Sequence, residues 1–174
     1  DENHLVFGVK RDVTTEHEGE VSTILHDEIS EGDMINLSAP VGGFSIENTE
    51  RPQLFIGSGV GMTPLVSMFK KAASLNVPTQ MIQAVVTEDE RPFAQKLDSI
   101  TDNYEQAQLH LHVKDKEGYL EAKELEQYLR EQPEIYICGG TKFLHSIINS
   151  LKELNYDMNH VHFETFIPRL SVQV

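Results

Sequence analysis

One stretch limits what the rest of the chain can be: Leu54-Phe55-Ile56-Gly57-Ser58-Gly59-Val60-Gly61-Met62-Thr63-Pro64. Leu54 to Ile56 is an apolar run of the kind found in parallel strands covered on both faces. Gly57, Gly59 and Gly61 strip the following turn of side chains, so another group can approach the backbone. Thr63 suits an N-cap and Pro64 the first helical position, where a missing N–H costs nothing. Leu65, Met68, Phe69, Ala72 and Leu75 then share one helical stripe. The first N–H groups of a helix lack intrahelical partners, so a glycine turn entering a helix is an anion site. The expected anion is the pyrophosphate of a nucleotide. The spacing is not G-x-G-x-x-G, because Met62 stands where the third glycine would be, and no Gly-Lys-Ser/Thr follows for a P-loop. S-adenosylmethionine-dependent methyltransferases also use a Gly-x-Gly-x-Gly turn, though they usually end the first strand with an acid where this chain has Ile56. A tight turn without a ligand is the plain alternative.

Downstream of Gln53 strands and helices alternate, which argues an α/β fold with a parallel sheet and helices on both faces. The pattern predicts further strands over Gln80–Val86, Leu109–Val113, Glu134–Cys138 and Val161–Phe166, making five in all. Helices are expected over Phe93–Ile100, Leu120–Leu129 and Thr141–Leu154. In such sheets ligands bind at the carboxyl ends of the strands, near the switch point. Three stretches should converge there: the glycine turn, Cys138-Gly139-Gly140 and Glu164-Thr165-Phe166.

Residues 1–48 read differently. Leu5, Phe7 and Val9 alternate as in a strand, and Met34 to Pro40 is a second strand stopped by proline. Gly19-Glu20-Val21-Ser22 opens a short helix with Ile24, Leu25 and Ile29 inward, and is a second, weaker phosphate candidate beside the reading as an ordinary capped helix. Thr49-Glu50-Arg51-Pro52 is the expected linker, dividing the chain into 1–48 and 49–174. The chain opens at Asp1, already in strand-like sequence, and reads as a piece of something longer.

The net charge of −14 argues against nucleic acid or an anionic membrane as partner. The single cysteine, Cys138, excludes a disulfide framework and a cluster ligated by this chain alone. No apolar run is long enough to span a membrane and no signal peptide is evident, so a reducing cytoplasm is the expected setting.

Cys138 at a strand end is expected to point into the crevice, against the alternative of a small buried hydrophobe. Glu164 and Phe166 share a strand face, a carboxylate beside an aromatic ring, which suits a stacked redox ring. His110 and His112, and His160 and His162, pair at i, i+2 but lack a third metal ligand and are expected to face solvent; no metal site is expected. Glu88-Asp89-Glu90 follows the second strand, where an acid can bond a ribose and repel the extra phosphate of NADP.

Taken together, Gly19–Ser22, Pro40-Val41-Gly42-Gly43-Phe44, Gly59–Pro64, Cys138-Gly139-Gly140 and Glu164-Thr165-Phe166 resemble the ferredoxin–NADP reductase superfamily. Ser38-Ala39-Pro40 and the ending Phe163-Glu164-Thr165-Phe166-Ile167-Pro168 are most similar to the reductase part of flavohaemoglobins. The likeness runs over essentially the whole chain with motif order kept. It implies the later part of an antiparallel FAD-binding β-barrel over 1–48, followed by a five-stranded NAD(P)-binding domain. It implies FAD and NADH or NADPH as cofactors, with the acidic run favouring NADH. Gly19, Glu20, Val21 and Ser22 would hold the FAD pyrophosphate; Gly59, Val60, Gly61, Met62, Thr63, Pro64 and Gly118 would meet the nicotinamide nucleotide. Cys138 and Gly139 would lie beside the nicotinamide, and Glu164 and Phe166 beside the flavin. The activity implied is hydride transfer to FAD, with electrons passing to haem in an N-terminal globin domain that this sequence lacks, for conversion of nitric oxide to nitrate. The superfamily's Arg-x-Tyr-Ser motif is absent, and Gly139-Gly140 replaces a common Gly-Pro. An oxygenase reductase with a separate iron–sulfur partner, the methyltransferase and a nucleotide sensor without turnover are the alternative readings.

Overall fold

A computed structural model describes residues 5–13, 19–39 and 41–165. It divides into two compact units, Asp1–Gly43 and Phe44–Val174.

The second unit holds a five-stranded, all-parallel sheet in the order β3-β2-β1-β4-β5. Its strands are β1 (Gln53–Ser58), β2 (Thr79–Val85), β3 (Ala107–Val113), β4 (Glu134–Gly139) and β5 (Val161–Thr165). The central pair is buried on both faces, as its apolar runs require. One face carries Phe55, Met81, Tyr136 and Cys138 under α2 (Met62–Ser74) and α3 (Ala94–Asn103). The other carries Leu54, Ile56, Ile82, Ile135 and Ile137 under α5 (Ala122–Leu125) and α6 (Thr141–Glu153). A short helix α4 (Lys114–Glu117) follows β3. The sheet and the two helical layers are those expected.

Several local expectations shift. The turn Gly59–Gly61 is a single 3-10 turn that runs directly into α2, so the N-cap is Gly61 and not Thr63. Thr63 and Pro64 instead sit in the first helical turn, where proline still displaces no intrahelical donor, and the Thr63 hydroxyl donates to the Val60 carbonyl. The helix expected over Leu120–Leu129 closes as α5 plus a 3-10 turn, started by a reciprocal Glu121–Glu124 capping box.

In the first unit the only helix among the described residues is α1 (Glu20–Asp27). The antiparallel pairing expected of Leu5–Val9 and Met34–Ala39 is not formed among them. A strand exists only through a neighbour's N–H and C=O groups, and these segments have no such neighbour there. Of the residues expected inward, Leu25 is half-buried, Ile24 is exposed, and Ile29 is exposed beyond the end of α1; Met34 further on is 97% exposed. One short helix supplies no second layer to receive an apolar face. The expectations for residues 14–18, for Pro40 and for Phe166 to Pro168 lie outside the described residues. No helix among the described residues is long and apolar enough to cross a membrane.

Candidate functional site

The connection from β1 leads one way through α2 to β2, while β4 lies on its other side, so the switch point falls between β1 and β4. The register pairs Gly57 with Cys138 and Cys138 with Glu164, which places the three expected stretches side by side at one end of the sheet. Two helices, α2 and α6, start there. Neither has a side-chain N-cap, and neither has a carboxylate in its first turn despite the chain's net charge of −14. The dipoles of both helices favour an anion at this place, though in α2 the Met62 N–H already bonds the Gly59 and Val60 carbonyls and Pro64 has no N–H to offer.

The glycines of this end fall into two kinds. At Gly61 a Cβ would lie 2.3 Å from the Cys138 carbonyl oxygen and 2.6 Å from the Gly139 nitrogen. At Gly57 it would meet the Met62 sulfur and a Leu65 methyl, and at Gly139 the Phe143 ring and the Ser58 hydroxyl. These glycines let the protein pack on itself. Gly61 therefore leaves no space for a nucleotide, and its φ of −60° is ordinary; it allows the start of α2 to rest on the β4 backbone. Gly59 and Gly140 are different: a Cβ on either would meet nothing within 4 Å. Gly59 also has φ +53°, which favours glycine, whereas Gly140 is extended at φ −66°. Met62 is fully buried in the core, so it can shape the loop but offers a ligand no side-chain contact.

Cys138 does not point into the crevice. Its side chain is buried among the core residues under α2. Burial, reinforced by the Glu164 charge, pushes its thiol up to about 12. A neutral thiol is a poor nucleophile and base, so what this residue presents is its backbone. Glu164 is half-buried beside it. Phe166 lies outside the described residues.

Gly118 is exposed with φ +83°. It is fixed by His112, whose Nε2 lies 3.0 Å from the Gly118 carbonyl oxygen. The carbonyl can only accept, so that ring nitrogen donates. Beside it the Lys114 ammonium sits 4.6 Å from the centre of the Tyr119 ring. Across from this turn Lys116 pairs with Glu88, so the acid expected to repel a ribose phosphate already carries a counter-charge. In the first unit Ser22 accepts from the Asp12 N–H at 3.1 Å and is 3.0 Å from the Gly19 carbonyl. Asp12 and Ser22 also fill the place of a Gly19 Cβ. The α1 N-terminus still has no side-chain cap, although Glu20 puts a carboxylate in its first turn.

The four paired histidines are at most partly exposed, short of the solvent-facing positions expected. His112 is buried, and His110 packs edge-on to Tyr128 with ring centres 4.9 Å apart; burial lowers the His110 pKa. His160 and His162 close on Glu134, a cluster that the sequence spacing did not show. Among the described residues no group of three or more His, Cys, Asp or Glu is placed to hold a metal ion.

Comparison with known proteins agrees with this geometry. Over 172 residues the chain is 30% identical to a flavohemoprotein of Bacillus cereus, covering 90% of this chain and 43% of that protein. It is 29% identical over 169 residues to flavohemoprotein B of Dictyostelium discoideum, covering 88% and 40%. The chain thus spans less than half the length of these curated relatives. The crystal structure of the flavohem-like FAD/NAD-binding domain of nitric oxide dioxygenase from Vibrio cholerae superposes with a TM-score of 0.83 at 28% identity, over 92% of this chain and 70% of that one. A ferredoxin–NADP+ reductase from Plasmodium falciparum shares the fold, with a TM-score of 0.70 at 19% identity, over 91% and 70%. The resemblance to the reductase part of flavohaemoglobins is therefore upheld. Residues 55–148 match the family model of the oxidoreductase NAD-binding domain, and it is to this family that the chain belongs.

Proposed function

We propose that this chain is the coenzyme-binding part of a flavohaemoglobin-like reductase, with residues 1–48 on the flavin side and 49–174 binding the nicotinamide nucleotide. The coenzymes are FAD and NADH or NADPH; when bound, the nicotinamide supplies a hydride and the flavin accepts it. One observation carries this reading: two uncapped helices, α2 and α6, begin at adjacent strand ends beside the open glycines Gly59 and Gly140. That cradle suits a dinucleotide pyrophosphate, because both helix dipoles favour an anion and neither first turn carries a carboxylate.

In this reading Gly59, Val60, Thr63 and Pro64 line the approach, and Gly61 and Met62 hold the loop against β4. Gly118, fixed by His112, borders the nucleoside. Cys138 and Gly139 border the nicotinamide with backbone, while the Cys138 side chain stays in the core. Glu164 and Phe166 border the flavin, where the Glu164 carboxylate can hold a hydrogen bond. Gly19, Glu20, Val21 and Ser22 would give their backbone N–H groups to the FAD pyrophosphate. The electrons would leave for haem in a globin domain of the same polypeptide, with nitric oxide as the final substrate, in a cytoplasmic setting.

The test loads the protein with FAD and follows flavin bleaching under NADH or NADPH without oxygen. Bleaching at a rate that saturates with coenzyme is expected. Calorimetry showing no binding of either coenzyme would overturn the reading. Reduction without transfer to a supplied haem globin would overturn only the electron destination and favour another acceptor.

A further inference from the structure

Three rungs cross β1, β4 and β5 on one face of the sheet. At the carboxyl end Gly57, Cys138 and Glu164 stand in register. One step down are Phe55, Tyr136 and His162. At the other end Gln53 pairs with Glu134, and His160 immediately precedes β5. The top rung carries the carboxylate assigned above to the flavin side.

β5 is a five-residue strand that among the described residues pairs only with β4, and Phe163 within it is 52% exposed. Among its apolar residues Val161 packs against the core while Phe163 does not, and a short edge strand is prone to fray or slip. Beyond its ladder with β4, aromatic stacking and a polar cluster fix its register. The His162 ring stacks on Tyr136 at 4.7 Å and 18°, and Tyr136 stacks in turn on Phe55 at 5.4 Å and 24°. Glu134 is only 3% exposed, and its two oxygens divide between the histidines: Oε1 is 2.8 Å from His160 Nδ1 and Oε2 is 2.9 Å from His162 Nε2. Arg51 Nη1 lies 2.9 Å from His160 Nε2 and Arg51 Nε donates to the Gln132 carbonyl at 2.8 Å. A guanidinium can only donate, so His160 Nε2 accepts and its Nδ1 carries the proton given to Glu134. Arg51 Nε also lies 3.9 Å from Glu134 Oε1, and on its other side His162 Nδ1 is 3.8 Å from Glu47 Oε1.

The contact is specific to one register. A slip of one residue would turn His162 and Glu164 to the opposite face. A slip of two would take His162 off Tyr136 and leave a buried carboxylate short of donors, which is costly.

We propose that Glu134, by clasping His160 and His162, is a positioning residue that sets the register of β5 and thereby places Glu164 beside Cys138. The proposal rests on the flavin-side role given to Glu164 above. Glu134 acts at a distance: four strand steps separate it from Cys138, about 13 Å, so it touches neither coenzyme. The clasp joins segments far apart in sequence, through Arg51, Glu134 and the pair His160 and His162, and so ties the β5 edge to the centre of the sheet.

The experiment uses the FAD-loaded protein and the variants Glu134→Ala and Glu134→Gln. Two readouts are taken: hydrogen exchange of backbone amides, and the rate of flavin reduction at saturating coenzyme beside the coenzyme KM. In Glu134→Ala the amides of Phe163 to Thr165 should exchange about tenfold faster or more, while those of Phe55 to Gly57 stay unchanged. The saturated reduction rate should fall about tenfold with KM within about twofold. Glu134→Gln should recover both to within about threefold, because its amide can accept from His160 and donate to His162. Unchanged exchange in Glu134→Ala would overturn the clasp. Faster exchange with an unchanged reduction rate would overturn its link to Glu164. An unmodified protein that binds coenzyme but reduces no flavin would defeat the proposed function and the catalytic consequence together, leaving exchange to decide the clasp.

Discussion

At the carboxyl ends of β1 and β4 the chain offers glycines and uncapped helix starts; at the opposite ends of β4 and β5 Arg51, Glu134, His160 and His162 satisfy one another. Both ends belong to the same strands and carry the same twist and spacing. They differ in where polar groups find partners. At the first end the helix starts have no side-chain cap of the chain's own. At the second, side chains supply every donor that the buried carboxylate needs. An uncapped end can receive a ligand, whereas a closed end can only hold the sheet together. The predictions that follow attack this contrast from its strongest point to its weakest.

If the open end works through backbone, its only thiol should be chemically silent. A Cys138 pKa of about 12 in place of 9.0 leaves about a thousandfold less thiolate near neutral pH. Alkylation by iodoacetamide at pH 8 should therefore be slower than for an unfolded control by at least about that factor. A rate near that of the control would put the sulfur in the crevice after all.

The two kinds of glycine separate next. Gly61→Val forces a branched side chain into the Cys138 carbonyl, where backbone cannot yield, and should cost about 3 kcal/mol in urea unfolding. Gly140→Ala meets open space at an ordinary φ and should change stability by less than about 0.5 kcal/mol. The same methyl should weaken nicotinamide nucleotide binding about tenfold in calorimetry. Equal stability losses for the two variants would erase the distinction.

The closed end should be sensitive to acid. Burial raises the Glu134 pKa, but hydrogen bonds from His162 and His160 outweigh it and hold the carboxyl below its usual range. A depressed folded pKa means the unfolded chain binds the proton more readily. The stabilisation is then complete above about pH 4.5 and is lost as pH falls through the folded value. Glu134→Ala should cost about 2 kcal/mol at pH 7, with the difference from the unmodified protein shrinking below that point. A difference that is flat from pH 7 to 3 would show that the carboxylate's charge is not what holds β5.

The sheet was legible because a parallel strand buried on both faces leaves a continuous apolar run, and Leu54 to Ile56 and Ile135 to Cys138 are such runs. The site's location was legible for a related reason: glycines cluster where chain must approach chain or ligand. Sequence could not say which. Gly61 and Gly140 look alike in letters, and only the atoms beside the absent Cβ tell packing from opening. The i, i+2 histidine pairs correctly implied one shared face, but not that the face is inside. The carboxylate that meets His160 and His162 is 26 and 28 residues away, and no local pattern records such a pairing. In residues 1–48 alternation was visible but partners were not, and a strand cannot be inferred from one side of a ladder.

The weakest effect concerns which coenzyme the open end prefers. Glu88 follows β2, where the ribose of a dinucleotide lies in folds of this order, and its carboxylate should oppose the additional phosphate of NADPH. Lys116, at the end of β3, pairs with Glu88, and a hydrogen bond from Lys116 holds the Glu88 carboxyl below its usual range. Both side chains are more than half exposed, so the pair contributes little to stability. Its electrostatic consequence is still readable by a doubly charged phosphate within a Debye length, about 8 Å at physiological salt. Lys116→Ala should leave the unfolding midpoint in place and raise the ratio of kcat/KM for NADH over NADPH about threefold at low ionic strength. Glu88→Gln should move the ratio the other way by a similar factor, because it removes the repelling charge and frees the lysine for the phosphate. Both shifts should fade in 0.5 M salt, where the Debye length drops to about 4 Å. Ratios that stay constant across both variants would place the ribose away from β2, and would leave the carboxyl ends of β1 and β4 as the whole of the coenzyme site.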